Sequence, residues 1–154
     1  EYVDVAIGNE EDAEKVFGIK AGASDVTRGE LSHEGYREVA RELVKRFGFE
    51  KVAITLRESL SASDNNWSGM LYDGAEFYLS RKYNVHIVDR VGGGDSFAGA
   101  LVYALLEGMS GRQAVEFAAA ASCLKHSIIG DFNMVGVSEV RTLAGGDASG
   151  RVQR

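Results

Sequence analysis

Three consecutive glycines, Gly92 to Gly94, separate a strand pattern at residues 84–89 from a helix pattern at residues 95–107. Glycine has no Cβ, so its backbone N–H groups can approach a ligand closely and positive φ is accessible. In open α/β sheets, ligands bind beyond the carboxyl ends of the strands, and a helix N-terminus adds unpaired N–H donors with a partial positive charge. This junction therefore predicts a site for an anion, best suited to phosphate.

Asp95 follows the glycines directly. A site that only holds phosphate gains nothing from a carboxylate at its centre, since two anions repel each other. We therefore interpret Asp95 as a general base for a hydroxyl that attacks phosphorus, while the amides stabilise charge on the phosphoryl oxygens. The alternative is a plain strand–turn–helix connection with an ordinary helix-start acid. The local stretch does not decide between the two, and its spacing fits neither a dinucleotide fingerprint nor a P-loop.

The rest of the chain alternates strand and helix patterns, which is typical of an α/β domain. Strands are predicted at residues 2–7, 51–56 and 84–89, and helices after Asn9, after Ser32 and at residues 95–107, 111–126 and 138–144. Asp73-Gly74 lies between two apolar runs and predicts a β-hairpin. We expect a mostly parallel sheet with flanking helices and this antiparallel hairpin. One domain covers residues 1–144, and a polar, disordered tail covers residues 145–154.

Charge and cysteine content exclude several classes of protein. The chain has 17 Lys and Arg against 23 Asp and Glu, a net charge of -6, which argues against nucleic-acid binding. The apolar runs are too short for a membrane span, and the acidic start does not resemble a signal peptide. Cys123 is the single cysteine and is expected to be a buried free thiol. These features predict a cytoplasmic protein.

Residues 89–101, DRVGGGDSFAGAL, resemble the C-terminal signature of the ribokinase-like (phosphofructokinase-B type) carbohydrate kinases. Three further segments carry the resemblance: Asn9 to Asp12 is similar to the family's Asn-x-x-Glu motif, Thr55-Leu56-Arg57 to its Thr-Leu-Gly nucleotide loop, and residues 118–127 with Gly130 to the helix and loop beside adenine. Among these kinases, the chain is most similar to the 2-keto-3-deoxygluconate kinases. The resemblance implies the ribokinase-like fold, of which this chain matches the C-terminal, nucleotide-side half.

The resemblance also implies roles for individual residues. Asp95 is the implied catalytic base, and Gly92, Gly93 and Gly94 form the implied anion hole. The implied nucleotide contacts are Asn9, Thr55, Arg57, Ala119 and Ser122. Asp12 is implied to reach magnesium through water, because it replaces a longer glutamate, and Asp89 lies by a monovalent-cation site in relatives. A side chain at Gly93 is expected to reduce turnover without unfolding the domain.

The implied reaction is ATP-dependent phosphorylation of the primary hydroxyl of a sugar acid, with 2-keto-3-deoxygluconate converted to its 6-phosphate. The implied cofactors are ATP and Mg²⁺, with K⁺ as a further candidate, and the expected partners are small molecules rather than nucleic acid or membrane. A homo-oligomer is a candidate assembly. Two alternatives stay open: another ribokinase-like kinase, for fructose or ribose, and a non-catalytic nucleotide-binding fragment. By itself the chain is expected to bind nucleotide but to turn over poorly.

Overall fold

The computed structural model describes residues 2–9, 11–19 and 33–146. The elements, in chain order, are β1 (Val5–Asn9), α1 (Asp12–Phe17), α2 (His33–Phe47), β2 (Lys51–Ser59), β3 (Asp64–Tyr72), β4 (Phe77–Leu79), β5 (Tyr83–His86), α3 (Gly93–Leu106), α4 (Gly111–Lys125) and α5 (Val137–Ala144). This order confirms the predicted α/β class with flanking helices. Three predicted features lie outside the described residues: the cap at Ser32, the motif residue Glu10 and most of the polar tail.

One five-stranded sheet joins the described strands in the order β1-β2-β3-β4, with β5 also paired to β3. Only the β1–β2 pair is parallel, and the other three pairs are antiparallel. The prediction of mostly parallel pairing is therefore wrong for these strands. A parallel pair needs a crossover of a dozen or more residues, whereas short turns connect β2 to β3 and β3 to β4. The β2–β3 turn was missed because residues 58–66 are largely polar.

The two faces of the sheet carry separate apolar cores, as the alternation of side chains along a strand requires. Helix α2 packs on one face, where Tyr36, Val39, Leu43, Val52, Ile54 and Met70 are buried. Helices α3 and α4 pack on the other face, where Ala53, Leu71, Phe97, Leu101, Val115 and Ala118 are buried. Both faces of the sheet are thus covered by helices.

Turns and helix ends follow the predicted residue types. The hairpin at Asp73-Gly74 is confirmed: Gly74 has φ 89°, and the Asp73 carboxylate accepts hydrogen bonds from the N–H groups of Ala75 and Glu76. Ser110 begins α4 with a capping box completed by Gln113. Within the described ranges, no helix combines the length and the apolar character that a membrane crossing requires.

Candidate functional site

The three glycines of the junction have three different surroundings. Gly92 has φ 77°, and a Cβ placed there would lie 2.2 Å from the carbonyl oxygen of Asp131. A Cβ on Gly93 would lie 2.8 Å from Cε1 of His126, whereas a Cβ on Gly94 would meet nothing within 4 Å. The fold therefore needs glycine at the first two positions for internal packing. A side chain at Gly93 is therefore expected to strain the packing against His126 as well as to reduce turnover.

The start of α3 presents backbone donors and one carboxylate. Asp95 is the third residue of the helix, and its side chain is exposed. Among the residues that the structure describes, the Asp95 carboxylate has no hydrogen-bond or ion-pair partner, and the N–H groups of Gly92, Gly94 and Asp95 have no acceptor. Gly93 differs, since its N–H donates to the carbonyl of Arg90 at 3.3 Å. Gly94 and Asp95 thus offer two exposed, unused N–H donors beside a carboxylate.

A pocket of about 210 Å³ lies between the start of α3, the end of β1 and the middle of β2. Its lining residues are Asn9, Glu11, Thr55, Arg57, Trp67 and Gly94. Three of the predicted nucleotide contacts, Asn9, Thr55 and Arg57, therefore lie together with one of the predicted glycines. The parallel register pairs Asn9 with Thr55, which explains why segments 46 positions apart meet here.

Glu11 and Asp12, which follow Asn9 at the start of α1, have different roles. Glu11 lines the pocket, and Asp12 closes a turn with Asn9. The Asn9 side-chain oxygen accepts hydrogen bonds from the N–H groups of Glu11 (2.8 Å) and Asp12 (3.1 Å). The Asp12 carboxylate accepts in return from the N–H of Asn9 at 2.7 Å. This reciprocal cap fixes the start of α1. Because one carboxylate oxygen of Asp12 binds the N–H of Asn9 in this cap, Glu11 lines the pocket and Asp12 does not. The sequence had given no role to Glu11.

Charges of both signs surround this pocket. Arg57 is exposed, and Glu11 pairs with Lys15. The pKa of Glu11 lies below its ordinary value, mainly because Lys15 donates a hydrogen bond to the carboxylate and carries a positive charge. The charge of Arg57 lowers this pKa further. Mg²⁺ is commonly held by one or two carboxylates together with substrate phosphates and water. The pair Glu11 and Asp12 fits that requirement, while the described residues contain no cluster of three or more His, Cys, Asp or Glu that would hold a metal alone.

Helix α4 supports the glycine junction from behind. The Ser122 hydroxyl is buried and donates a 2.7 Å hydrogen bond to the carbonyl of Gly93. Nδ1 of His126 donates to the carbonyl of Ser122 at 2.6 Å, and the His126 ring lies 4.7 Å from the ring of Trp67. Burial of the imidazole is the main cause that lowers the pKa of His126. Ala119 is fully buried in the core, so the structure gives it no surface for a ligand.

Asp89 connects the glycine junction to the loop after α4. One carboxylate oxygen accepts from the N–H of Val91 (3.0 Å), and the other accepts from the N–H of Gly130 (2.8 Å). The carbonyl of His126 accepts from the N–H groups of Val88 and Asp89, which adds a second connection between the same two loops. Asp131 completes the contact through its close approach to Gly92. The junction and the loop at residues 126–131 therefore form one packed unit.

A family model described as "pfkB family carbohydrate kinase" matches residues 1–131 of the chain. Among curated proteins, 2-dehydro-3-deoxygalactonokinase from Haloferax volcanii is 30% identical over 147 residues, which make up 95% of this chain and 40% of that protein.

Two solved structures resemble the fold closely. The 2-dehydro-3-deoxygluconokinase from Thermotoga maritima has a TM-score of 0.88 and 50% identity, over 95% of this chain and 43% of that chain. A protein described as a putative 2-keto-3-deoxygluconate kinase from Enterococcus faecalis has a TM-score of 0.81 and 25% identity, over 98% of this chain and 43% of that chain. The chain thus spans less than half the length of each of these relatives.

Proposed function

Because the chain belongs to the pfkB family of carbohydrate kinases, we propose that it forms the nucleotide-side part of a kinase for a sugar acid. The reaction transfers the γ-phosphoryl group of ATP to the primary hydroxyl of 2-keto-3-deoxygluconate and yields the 6-phosphate. The relative from Thermotoga maritima is named for the same compound, written as 2-dehydro-3-deoxygluconate, and is 50% identical. The observation that carries the proposal is the exposed Asp95 carboxylate beside unused N–H donors at the start of α3.

Asp95 acts as the general base in this proposal. The sugar hydroxyl oxygen forms a bond to the γ-phosphorus, its proton passes to the Asp95 carboxylate, and the bond from the γ-phosphorus to the bridging oxygen breaks to release ADP. The structure supports this role because the described residues use neither oxygen of Asp95. A carboxylate that closed a turn or an ion pair would be less available to accept the proton.

The N–H groups of Gly94 and Asp95 stabilise the charge on the transferring phosphoryl group. Both belong to the first turn of α3, where N–H groups have no helical acceptor and the helix dipole favours an anion. This proposal reduces the number of glycines that contact the phosphate from the three predicted to one. Gly94 contacts the phosphate, while Gly92 and Gly93 let the first turn pack against Asp131 and His126.

The pocket beside Gly94 holds the phosphates of the nucleotide. Arg57 supplies a positive charge, and Asn9 at the end of β1 and Thr55 in the middle of β2 supply polar side chains. Bound Mg²⁺ neutralises phosphate charge, and Glu11 and Asp12 are the carboxylates that would hold it. Ser122 orients the carbonyl of Gly93 and contacts no ligand itself, because it is fully buried.

The acceptor is tested with the full natural polypeptide in a coupled assay of ADP formation. The four acceptors are 2-keto-3-deoxygluconate, 2-keto-3-deoxygalactonate, fructose and ribose. We expect kcat/KM for the gluconate to exceed that for either neutral sugar by at least about 100-fold, since a site built for a carboxylate rejects analogues that lack it. Higher kcat/KM on fructose or ribose would overturn the assignment to a sugar acid. Binding of MgATP without turnover of any acceptor would favour the non-catalytic alternative.

A further inference from the structure

Lys125, the last residue of α4, is completely buried. Its ammonium donates a 2.9 Å hydrogen bond to the carbonyl of Ile128, and this is its only hydrogen bond in the part of the chain that the structure describes. Lysine is almost never fully buried unless it is paired, because an isolated ammonium is costly to remove from water. The position therefore calls for an opposite charge close by.

Asp89 supplies that charge. Its carboxylate accepts a hydrogen bond from the N–H of Gly130, two residues beyond Ile128, whose carbonyl Lys125 binds. Both side chains therefore bind the same turn. Among the described residues they make no direct ion pair, and they interact through space and through the turn. The backbone N–H donors of Val91 and Gly130 are the main causes that lower the pKa of Asp89, and the charge of Lys125 lowers it further.

The resemblance to the family implies a monovalent cation beside Asp89, and the residues present do not fit one. Asp89 brings one negative charge, and its two oxygens already accept backbone N–H groups. Lys125 adds one positive charge that belongs to the chain itself and is present in any salt. A second cation here would face an ammonium held inside the protein, and the described residues contain no cluster of three or more His, Cys, Asp or Glu that would hold it.

We propose that the ammonium of Lys125 takes the place of a bound monovalent cation in this chain. It fixes the carbonyl of Ile128 and balances Asp89, and Asp89 in turn holds Val91 and the glycine junction in position. Lys125 is a positioning residue, since its ammonium holds the loop at residues 126–131 and Lys125 does not line the pocket. The effect on nucleotide affinity rests on the proposed function, whereas the effect on stability does not.

The experiment compares K⁺ with tetramethylammonium at equal ionic strength, because the second ion is too large for a site between two loops. The thermal midpoint and the Kd for MgADP are measured for the wild type, Lys125→Met and Lys125→Arg. Lys45→Met is the matched control, since Lys45 also lies in the last turn of a helix but is exposed. We expect the wild type, Lys125→Arg and the control to change by less than about twofold in Kd between the two salts.

Lys125→Met is expected to bind MgADP about tenfold more weakly in tetramethylammonium and to recover in K⁺, with a parallel rise of its thermal midpoint. If Lys125 had only a structural role, Lys125→Met would lose MgADP affinity and thermal midpoint and K⁺ would restore neither. That result would overturn the proposal. A wild-type midpoint or affinity that rises with K⁺ would also overturn it, and this measurement decides even if the variant does not fold. If the wild type binds no MgADP in either salt, the proposed function fails, while the midpoints still test Lys125.

Discussion

The hydroxyl of Ser122 on α4 donates a buried 2.7 Å hydrogen bond to the backbone carbonyl of Gly93 on α3. The two residues are 29 positions apart, and the bond fixes the first turn of α3 against α4. Asp95 lies two residues beyond Gly93 in that turn. The orientation of the carboxylate therefore depends on a side chain that never contacts solvent.

Ser122→Ala is expected to destabilise the protein by about 1–3 kcal/mol, because it leaves a buried carbonyl without its donor. Urea unfolding measures the change. Ser127→Ala is the control, since Ser127 also donates to a backbone carbonyl, that of Leu124, but at an exposed position. Equal losses for the two variants would contradict a special role for the bond to Gly93.

Asp95→Asn is expected to lower kcat by about 10²–10⁴-fold and to leave the Kd for MgATP nearly unchanged, because it removes the proton acceptor and keeps the shape. The full natural polypeptide is assayed for turnover and titrated calorimetrically with MgATP. Glu107→Gln, at the exposed opposite end of α3, serves as the control and should retain full kcat. Near-normal turnover by Asp95→Asn would refute the assignment of the base.

Gly93→Ala and Gly94→Ala are expected to separate stability from ligand binding. A Cβ at position 93 overlaps the His126 ring, so the first variant should lose stability by about 1–3 kcal/mol. A Cβ at position 94 meets nothing, so the second should fold with a midpoint at or above that of the wild type and bind MgATP more weakly. Thermal unfolding and calorimetry distinguish these outcomes. Unchanged nucleotide affinity in Gly94→Ala would show that the phosphates lie elsewhere.

His126 is expected to make stability fall as the pH drops below about 6.5. Burial lowers the pKa of His126 in the folded protein, so the unfolded chain binds the proton first. The stabilisation is complete above the unfolded pKa of 6.5 and is lost as the pH falls towards the folded pKa. The slope approaches about 1.4 kcal/mol per pH unit in that window. Urea unfolding is measured between about pH 7.5 and about pH 5.5, the range in which histidine titrates. The control His86→Asn should show this slope, and His126→Asn should not.

Sequence patterns predicted the parts of the fold that depend on neighbouring residues. The hairpin at Asp73-Gly74 and the helix predicted at residues 111–126 follow from local turn chemistry and apolar periodicity and are confirmed. The β2–β3 hairpin was missed because its turn at residues 60–63 lacks a glycine and lies within a polar stretch. Without that hairpin, the pairing of the sheet could not be predicted correctly.

The same distinction applies to the candidate site. Asn9, Thr55 and Arg57 were identified through their motifs, and the structure brings them together. Trp67 enters the pocket because the β2–β3 register pairs it with Arg57, a relation that no local pattern reveals. Glu11 lines the pocket because the turn at Asn9 directs Asp12 into the cap. Such residues depend on register and turn geometry, which only the folded chain defines.

The three glycines of the motif have different surroundings, so the tolerance to substitution is expected to differ between the three positions. Gly92 packs against the backbone of Asp131 and Gly93 against the ring of His126, so replacing either one is expected to reduce the stability of the fold. A Cβ on Gly94 would meet nothing within 4 Å, so the fold alone would tolerate its replacement. A lineage that lost the nucleotide would be free to change Gly94 first. A homologue with two of these glycines and a larger third residue would thus record the loss of the ligand rather than the loss of the domain.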